Sequence, residues 1–265
     1  MYSTSLIELM KSTVLLMNMT VKVRACSVNG DNYTFLVDDV KHAQEDYPVI
    51  IAGNTSTIKN VDFLASKITL ESSIDISGIK QFDLYRPKFY HGTPVETSTE
   101  IGKTLKPLDK LPLIWMLEIF EEEMDFDIQS AVERISSPKI YALGRRPKDQ
   151  FSKDLQEKYV LPMRRLMENF VLTMRGRRNV FDTYTFKAKF TNYSKFGVYY
   201  TDKGVTSNLF TDVLSGVSMI GEMTILKGSE CLCKEARDAG SQNYVGDEND
   251  CTILISEDNE IFQLD

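Results

Sequence analysis

The chain has 265 residues, of which 42% are hydrophobic and 26% are charged, and its formal net charge is −7. This composition is typical of a globular protein with enough apolar residues for one large domain or two smaller ones. No apolar stretch has the length of a membrane-spanning helix and no basic segment opens a signal peptide, so we expect no membrane contact. Four cysteines are too few to form a disulfide framework in a chain of this length. We therefore expect the protein to occupy a reducing compartment such as the cytoplasm.

The first 90 residues predict a small β-rich module. A short helix over residues 3–13 is followed by strict alternation of apolar and polar residues from Met17 to Ala25, the pattern of a half-buried strand. Asn29-Gly30-Asp31 predicts a tight hairpin turn back into a strand over residues 33–37. Further short strands are expected over residues 47–52, 58–64, 67–74 and 81–85. Short strands at this spacing indicate a small β-barrel or sandwich over residues 14–90.

The densest apolar run in the chain, Leu111–Phe120, holds the only tryptophan, Trp115. A continuous apolar run of this length predicts a strand buried on both faces, with a buried helix as the alternative. Before it, the prolines and glycine of residues 86–94 argue against regular structure, and residues 95–110 are expected to form a polar loop or arm. After it, residues 121–130 predict an acidic loop, and residues 139–143 predict a further strand.

Residues 149–174 carry the clearest helical pattern, with large apolar residues at spacings of three and four. Pro162 predicts a break, with the proline in the first turn of the second piece, and Gly176 is expected to cap the end. Alternating strands are expected over residues 181–193 and 217–225, with a loop between them over residues 197–208.

The predicted fold is therefore α+β, with an N-terminal β-barrel or sandwich and a second module that packs a sheet against a helical layer. The expected modules are residues 1–90, residues 91–228 and an acidic C-terminal tail over residues 229–265.

No sequence motif of a known enzyme chemistry occurs. Phosphate-binding glycine loops and nucleophile elbows are absent, and His42 and His91 lie in polar segments where we expect exposed side chains. Cys231 and Cys233 with Cys251 lack a fourth ligand at the spacing of a zinc site. The acidic run around Asp125 and Asp127 lacks the register of a calcium loop, so a solvated loop or a subunit contact is the preferred interpretation.

The charges are distributed unevenly along the chain. Residues 145–195 contain 13 Lys and Arg against 5 Asp and Glu, a net +8, and the remainder has 18 against 33, a net −15. A basic block on an acidic protein suggests polar self-assembly or contact with an acidic surface, whereas a solvated helix face is the simpler alternative.

Several loose patterns in the second module resemble a known family. They are Gly92-Thr93-Pro94, Leu111–Glu118, Tyr141–Gly144, Tyr159–Met163 and Leu209–Val217. Together, over residues 90–228, they resemble the tail-completion or tail-terminator proteins of tailed bacteriophages and the related stacked ring proteins below the portal in crAss-like phages. The N-terminal β-module and the acidic tail are additions to the compact terminators.

The resemblance implies a structural virion protein without catalytic activity or cofactor. It implies a homo-oligomeric ring of six or twelve subunits in the neck or tail, around the DNA channel, with other neck, tail or portal proteins as neighbours. Genomic DNA in the lumen would then lie near the ring without specific recognition, and assembly would take place in the host cytoplasm.

A closed ring needs two different complementary faces on each subunit. The charge pattern supplies candidates, and we expect charge reversal at Arg177 and Arg178 to weaken ring closure. The candidate subunit-interface residues are Arg145, Arg146, Arg175, Arg177, Arg178, Glu121, Glu122 and Glu123. Two alternatives remain open, a metal-dependent enzyme that uses the acidic loop near Asp125 and a monomeric cytoplasmic binding adaptor.

Overall fold

A computed structural model describes most of the chain between residues 5 and 226. The described residues are 5–51, 53–103, 110–124, 132–146, 155–182, 186–200, 206–208, 210, 212–226, 254–255 and 261–262. Within them, strands predominate and three α-helices occur, which confirms the predicted α+β class. The helices are α1 (Leu6–Leu16), α2 (Pro94–Lys103) and α3 (Leu161–Gly176), and a π-helical turn over Gln156–Val160 leads into α3.

The first six strands close into an antiparallel barrel, so the barrel alternative of the sequence prediction is confirmed. They are β1 (Thr20–Asn29), β2 (Asn32–Val37), β3 (Pro48–Ile51), β4 (Asn54–Asp62), β5 (Lys67–Glu71) and β6 (Gln81–Leu84). Their order around the barrel is β1-β2-β5-β4-β3-β6, with β6 paired back to β1. The predicted hairpin joins β1 to β2, where Asn29 pairs with Asn32 and Gly30 has a φ of 59°. Glycine accepts this positive φ without steric cost.

The second part of the chain forms two larger sheets that are linked through consecutive strands. The strands of the five-stranded sheet, in spatial order, are β13 (Ala188–Phe196), β16 (Leu214–Gly221), β11 (Lys139–Arg145), β8 (Leu113–Leu117) and β7 (Lys88–Gly92). Those of the four-stranded sheet are β12 (Phe181–Asp182), β17 (Met223–Leu226), β10 (Val132–Ser136) and β9 (Glu122–Met124). Because β10 leads directly into β11 and β16 into β17, the small sheet continues the central strands of the large one.

The large sheet is buried on both faces around β8, as the apolar run predicts. Leu113 and Trp115 belong to a hydrophobic cluster that includes the barrel interior, whereas Ile114 and Met116 belong to a second cluster with α1 and α3. Alternate side chains of a strand point to opposite faces, so a strand between two layers must be apolar at every position. The barrel thus covers one face and the helices cover the other.

Two predictions for the approach to β8 are wrong. Lys88–Gly92 forms β7, which pairs in parallel with β8, and Pro94–Lys103 forms α2. Thr93 and Glu96 form a capping box, in which the Glu96 N–H donates to Thr93 Oγ1 at 3.2 Å and the Thr93 N–H donates to Glu96 Oε2 at 3.0 Å. The proline therefore begins a helix, a position where its missing N–H costs nothing.

The main helix follows the prediction with small shifts over the described part of the segment, and residues 149–154 of the predicted helix lie outside the described residues. Pro162 lies in the first turn of α3, as expected, and the π-helical turn replaces a clean break before it. Gly176 is the last helical residue, and the cap position falls to Arg177, whose N–H donates to the Met174 carbonyl at 3.0 Å.

Three other segments differ from the prediction in detail. The expected strand over residues 181–193 is divided between β12 and β13, which lie in different sheets. The expected loop over residues 197–208 contains the paired strands β14 (Val198–Tyr200) and β15 (Thr206–Asn208). In the predicted acidic tail, the structure describes only the short pair β18 (Leu254–Ile255) and β19 (Ile261–Phe262), so the rest of that prediction lies outside the described residues.

The contacts of α1 cross the predicted boundary between the modules. Leu9 and Met10 are buried in the same cluster as Met167 and Phe170 of α3. The Arg86 side chain donates to the Val14 and Met17 carbonyls, each at 3.0 Å, and so holds the end of α1 beside the start of β7. The helix that precedes the barrel in sequence packs with the second module in space.

Candidate subunit-interface surfaces

The acidic candidates form an exposed strand at the edge of the four-stranded sheet. Glu122 and Glu123 belong to β9, Glu121 precedes it, and all three residues are exposed. The Glu121 carbonyl accepts hydrogen bonds from Ser136 Oγ at 3.1 Å and from the Ser137 N–H at 3.3 Å. The predicted acidic loop is therefore extended backbone at its start, while residues 125–130 of that loop lie outside the described residues.

Glu122 differs from its two neighbours because it has a partner within the subunit. Arg134 Nη1 lies 3.4 Å from Glu122 Oε1, and the Arg134 side chain is only 5% exposed. A buried guanidinium needs a nearby carboxylate to offset its desolvation. Glu121 and Glu123 are thus the more available carboxylates of the three.

The basic candidates do not form one patch. Arg145 is the last residue of β11 and Arg146 follows it, next to the barrel. The other three, Arg175, Arg177 and Arg178, lie at the C-terminal end of α3. Met163, near the start of α3, approaches Gly144, so the helix runs away from the first pair of arginines. Its 16 residues span about 24 Å. The basic block of the sequence is divided between two ends of the second module.

Two of the five arginines are engaged inside the subunit. Arg146 is 7% exposed, and its Nη1 donates to the Ser194 carbonyl at 2.8 Å. Arg177 Nη1 donates to the Leu9 carbonyl at 3.0 Å, to Ser12 Oγ at 2.9 Å and to Thr13 Oγ1 at 2.8 Å. These bonds give both side chains a structural role within the monomer.

The other three arginines, Arg145, Arg175 and Arg178, are exposed. The backbone of Arg145 also ties β11 to the barrel, since its N–H donates to Tyr47 Oη at 3.1 Å and its carbonyl accepts from Gln44 Nε2 at 2.7 Å. Burial raises the pKa of the Tyr47 hydroxyl, so this phenol stays protonated.

The predicted role of all eight candidate residues in a subunit interface stays a prediction.

The list of candidate arginines left out a basic strand at the edge of the five-stranded sheet. β13 is the outer strand of the five-stranded sheet, and Lys187, Lys189 and Lys195 on and beside it are exposed. Phe190, on the opposite face of the strand from Lys189, is partly buried, and the Arg164 guanidinium lies 5.5 Å from the centre of that ring. The signal in the sequence is the alternation of lysines with aromatic residues after Phe186.

The prediction that His42 is exposed is wrong. Its side chain is buried at the seam between the barrel and the sheet, and Nε2 lies 3.1 Å from the Tyr85 carbonyl. Burial lowers the pKa of His42 to about 4, so the imidazole is neutral at pH 7.

The cavity beside His42, lined in part by Gln44 and Met163, has a volume of about 10 Å³, roughly that of one water molecule. The second histidine, His91, is half-buried within β7, so the prediction that its side chain is exposed is also wrong.

No metal site can be assembled from the described residues, among which no three His, Cys, Asp or Glu side chains are grouped to hold an ion. Asp125, Asp127, Cys231, Cys233 and Cys251 lie outside those residues, so the hypotheses on them stay predictions. None of the helices in the described part of the chain has the length and apolar character needed to cross a membrane.

Comparison of the chain with protein-family models, with curated proteins and with solved structures gives no match.

Proposed function

We propose that this protein is a structural virion protein that forms a ring of six or twelve subunits in the neck or tail of a tailed phage. The ring would surround the DNA channel, contact other neck, tail or portal proteins and carry no catalytic site. The observation that carries the proposal is the placement of exposed charges of opposite sign on different parts of one subunit. Glu121 and Glu123 lie at the edge of the small sheet, while Arg145, Arg175 and Arg178 are exposed elsewhere.

Separate complementary faces favour head-to-tail association, because each subunit can then bind two neighbours through different surfaces. When the rotation between neighbours closes, such heterologous contacts generate a ring. An isologous dimer would instead require one self-complementary patch, and like charges within each of these surfaces oppose that arrangement.

The arrangement of the second module also supports the proposal. A mixed sheet with helices on one face is what the tail-terminator resemblance implies, and the N-terminal barrel on the other face is the addition that distinguishes this chain. A subunit with such an extra domain has surface available for a different ring above or below it.

The test is the mass of the purified protein in solution, with negative-stain images of the same sample. Closed rings of six or twelve subunits are the expected result, and raised salt should weaken them because exposed ion pairs are screened. A protein that stays monomeric at every accessible concentration and ionic strength contradicts the proposal. Metal-dependent turnover that is lost on mutation of Asp125 or Asp127 would favour an enzyme instead.

A further inference from the structure

The second module presents two sheet edges whose charges are opposite. The segment Glu118–Met124, which contains β9, has four glutamates and no lysine or arginine. The segment Phe186–Phe196, which contains β13, has three lysines and no aspartate or glutamate. Within the described residues, β9 pairs only with β10 and β13 pairs only with β16, so each strand has one side without a strand partner.

Such edges normally need protection, since unpaired backbone N–H and C=O groups attract further strands. Charged side chains on an edge are one means of protection, and between β9 and β13 they exclude two of the three pairings that these two edges allow. Two β9 edges would bring glutamates together, and two β13 edges would bring lysines together. Only the pairing of β9 with β13 sets opposite charges beside each other, the favourable arrangement for cross-strand neighbours.

The two edges also differ in their apolar surroundings. Ile119, just before β9, is 85% exposed, and Met124 within β9 is 46% exposed. Beside β13 lies an open depression of about 210 Å³, lined by Gln156, Glu157, Val160, Leu161, Arg164 and Asn192. An exposed apolar side chain next to one edge and a depression next to the other provide a means to exclude water from the contact.

We propose that neighbouring subunits join head to tail by placing the acidic β9 edge of one copy along the basic β13 edge of the next. This inference rests on the proposed ring and names the surfaces that close it. It assigns the neighbours of Glu121 and Glu123 to Lys187 and Lys189 rather than to Arg175 and Arg178. The two lysines have the same two-residue spacing as the glutamates and, unlike the arginines, lie at an outer strand that has one strand partner within the described residues.

The experiment is a charge swap in the full-length chain, read by solution mass and negative-stain images. One variant carries Glu121→Lys and Glu123→Lys, a second carries Lys187→Glu and Lys189→Glu, and a third combines all four changes. Each two-residue reversal should weaken association at least about tenfold, because like charges then face each other across the contact. The combined variant should assemble again, because opposite charges then face each other once more, with the lysines at the β9 edge and the glutamates at the β13 edge.

Two control variants test whether charge reversal at any exposed position weakens assembly, and a third variant addresses the competing assignment. Glu100→Lys on α2 and Lys67→Glu in the barrel reverse exposed charges elsewhere and should leave assembly unchanged. Circular dichroism and thermal unfolding should show that all the variants are folded. The double reversal Arg175→Glu and Arg178→Glu tests the competing assignment of the basic face to the end of α3, and it should weaken assembly less than either edge reversal does.

The outcomes separate this inference from the proposed function. If the wild-type protein forms rings but neither edge reversal weakens them, or if the combined variant fails to reassemble, the β9–β13 contact is wrong and the ring stands. Loss of rings in the Arg175 and Arg178 variant alone transfers the contact to α3 and also overturns the inference. A wild-type monomer refutes the ring and the contact together.

Discussion

The barrel and the five-stranded sheet solve the same problem of unpaired strand edges in different ways. In the barrel, β6 pairs back to β1, so closure leaves no edge. The larger sheet ends at β13 on one side, and the smaller sheet ends at β9. Under the proposed ring, backbone-mediated association between subunits would therefore involve the second module, whereas the barrel would contribute side chains and loops.

The two regions nevertheless share a core. Trp115 of β8 belongs to the same cluster as Phe35 and Ile68 of the barrel, and its ring stacks on Tyr141 with 4.8 Å between the centroids. Its indole Nε1 donates to the Gly92 carbonyl at 3.1 Å. We therefore expect the barrel and the sheet to unfold as one cooperative unit.

Removing the indole is the strongest test of that shared core. Trp115→Ala should lower the free energy of unfolding by about 3–5 kcal/mol, because it removes a fully buried aromatic ring and leaves a cavity. Urea unfolding followed by far-UV circular dichroism should show a single transition at a lower midpoint. As a control, Leu64→Ala, at a residue that is 97% exposed, should change the free energy of unfolding by about 0.5 kcal/mol or less. Two separate transitions in the wild-type protein would show that barrel and sheet are independent.

The pH dependence of stability tests the seam between the regions. The pKa of His42 is about 4 in the folded protein and 6.5 as its ordinary value, so between these pH values only the unfolded chain binds the proton. Stability is then lost as the pH falls from 6.5 towards 4, by up to about 3 kcal/mol.

His42→Gln should remove this dependence while its amide can still donate to the Tyr85 carbonyl. The measurement is the urea midpoint of both proteins at several pH values between 4 and 7. Parallel curves for the two proteins would show that His42 is not the titrating group.

The contact between α1 and the end of α3, on the helical side of the sheet, is expected to give the smallest change in the free energy of unfolding. Arg177→Met should destabilise the fold by about 2 kcal/mol, since it removes a charged donor to Leu9, Ser12 and Thr13 and loosens α1 from α3. Arg178→Met is the matched control on an exposed neighbour, with an expected change of about 0.5 kcal/mol or less. Equal midpoints in chemical denaturation would refute the structural role of Arg177. For the same reason, a reversal at Arg177 is a poor probe of ring closure.

Patterns with a short period predicted most of the elements. Alternation located β1, the Asn29-Gly30 turn located the first hairpin, and the Pro162 break located the start of α3. The misses have physical causes that are equally specific. β7 is stabilised by its pairing with β8 across an intervening helix, and the capping box of α2 was hidden in a segment with two prolines and a glycine nearby.

The candidate site was less predictable than the fold. The sequence located the acidic segment and the excess of basic residues, but it could not separate arginines engaged within the subunit from those that are exposed. Arg177 and Arg178 are adjacent in the chain, yet one donates to α1 and the other faces solvent. The basic edge of β13 became visible only when the sheet order placed that strand outermost.

The sequence by itself determined the local elements, the two-faced burial of the Trp115 strand and the opposite charges of its two charged regions. These properties depend on residues that are close in the chain, where side-chain period and turn chemistry act directly. Only the tertiary structure decided that the barrel closes, that α1 packs with α3 and that the acidic β9 and the basic β13 are outer strands of their sheets. Those outcomes depend on pairing between distant segments, and many pairings are compatible with the same local pattern.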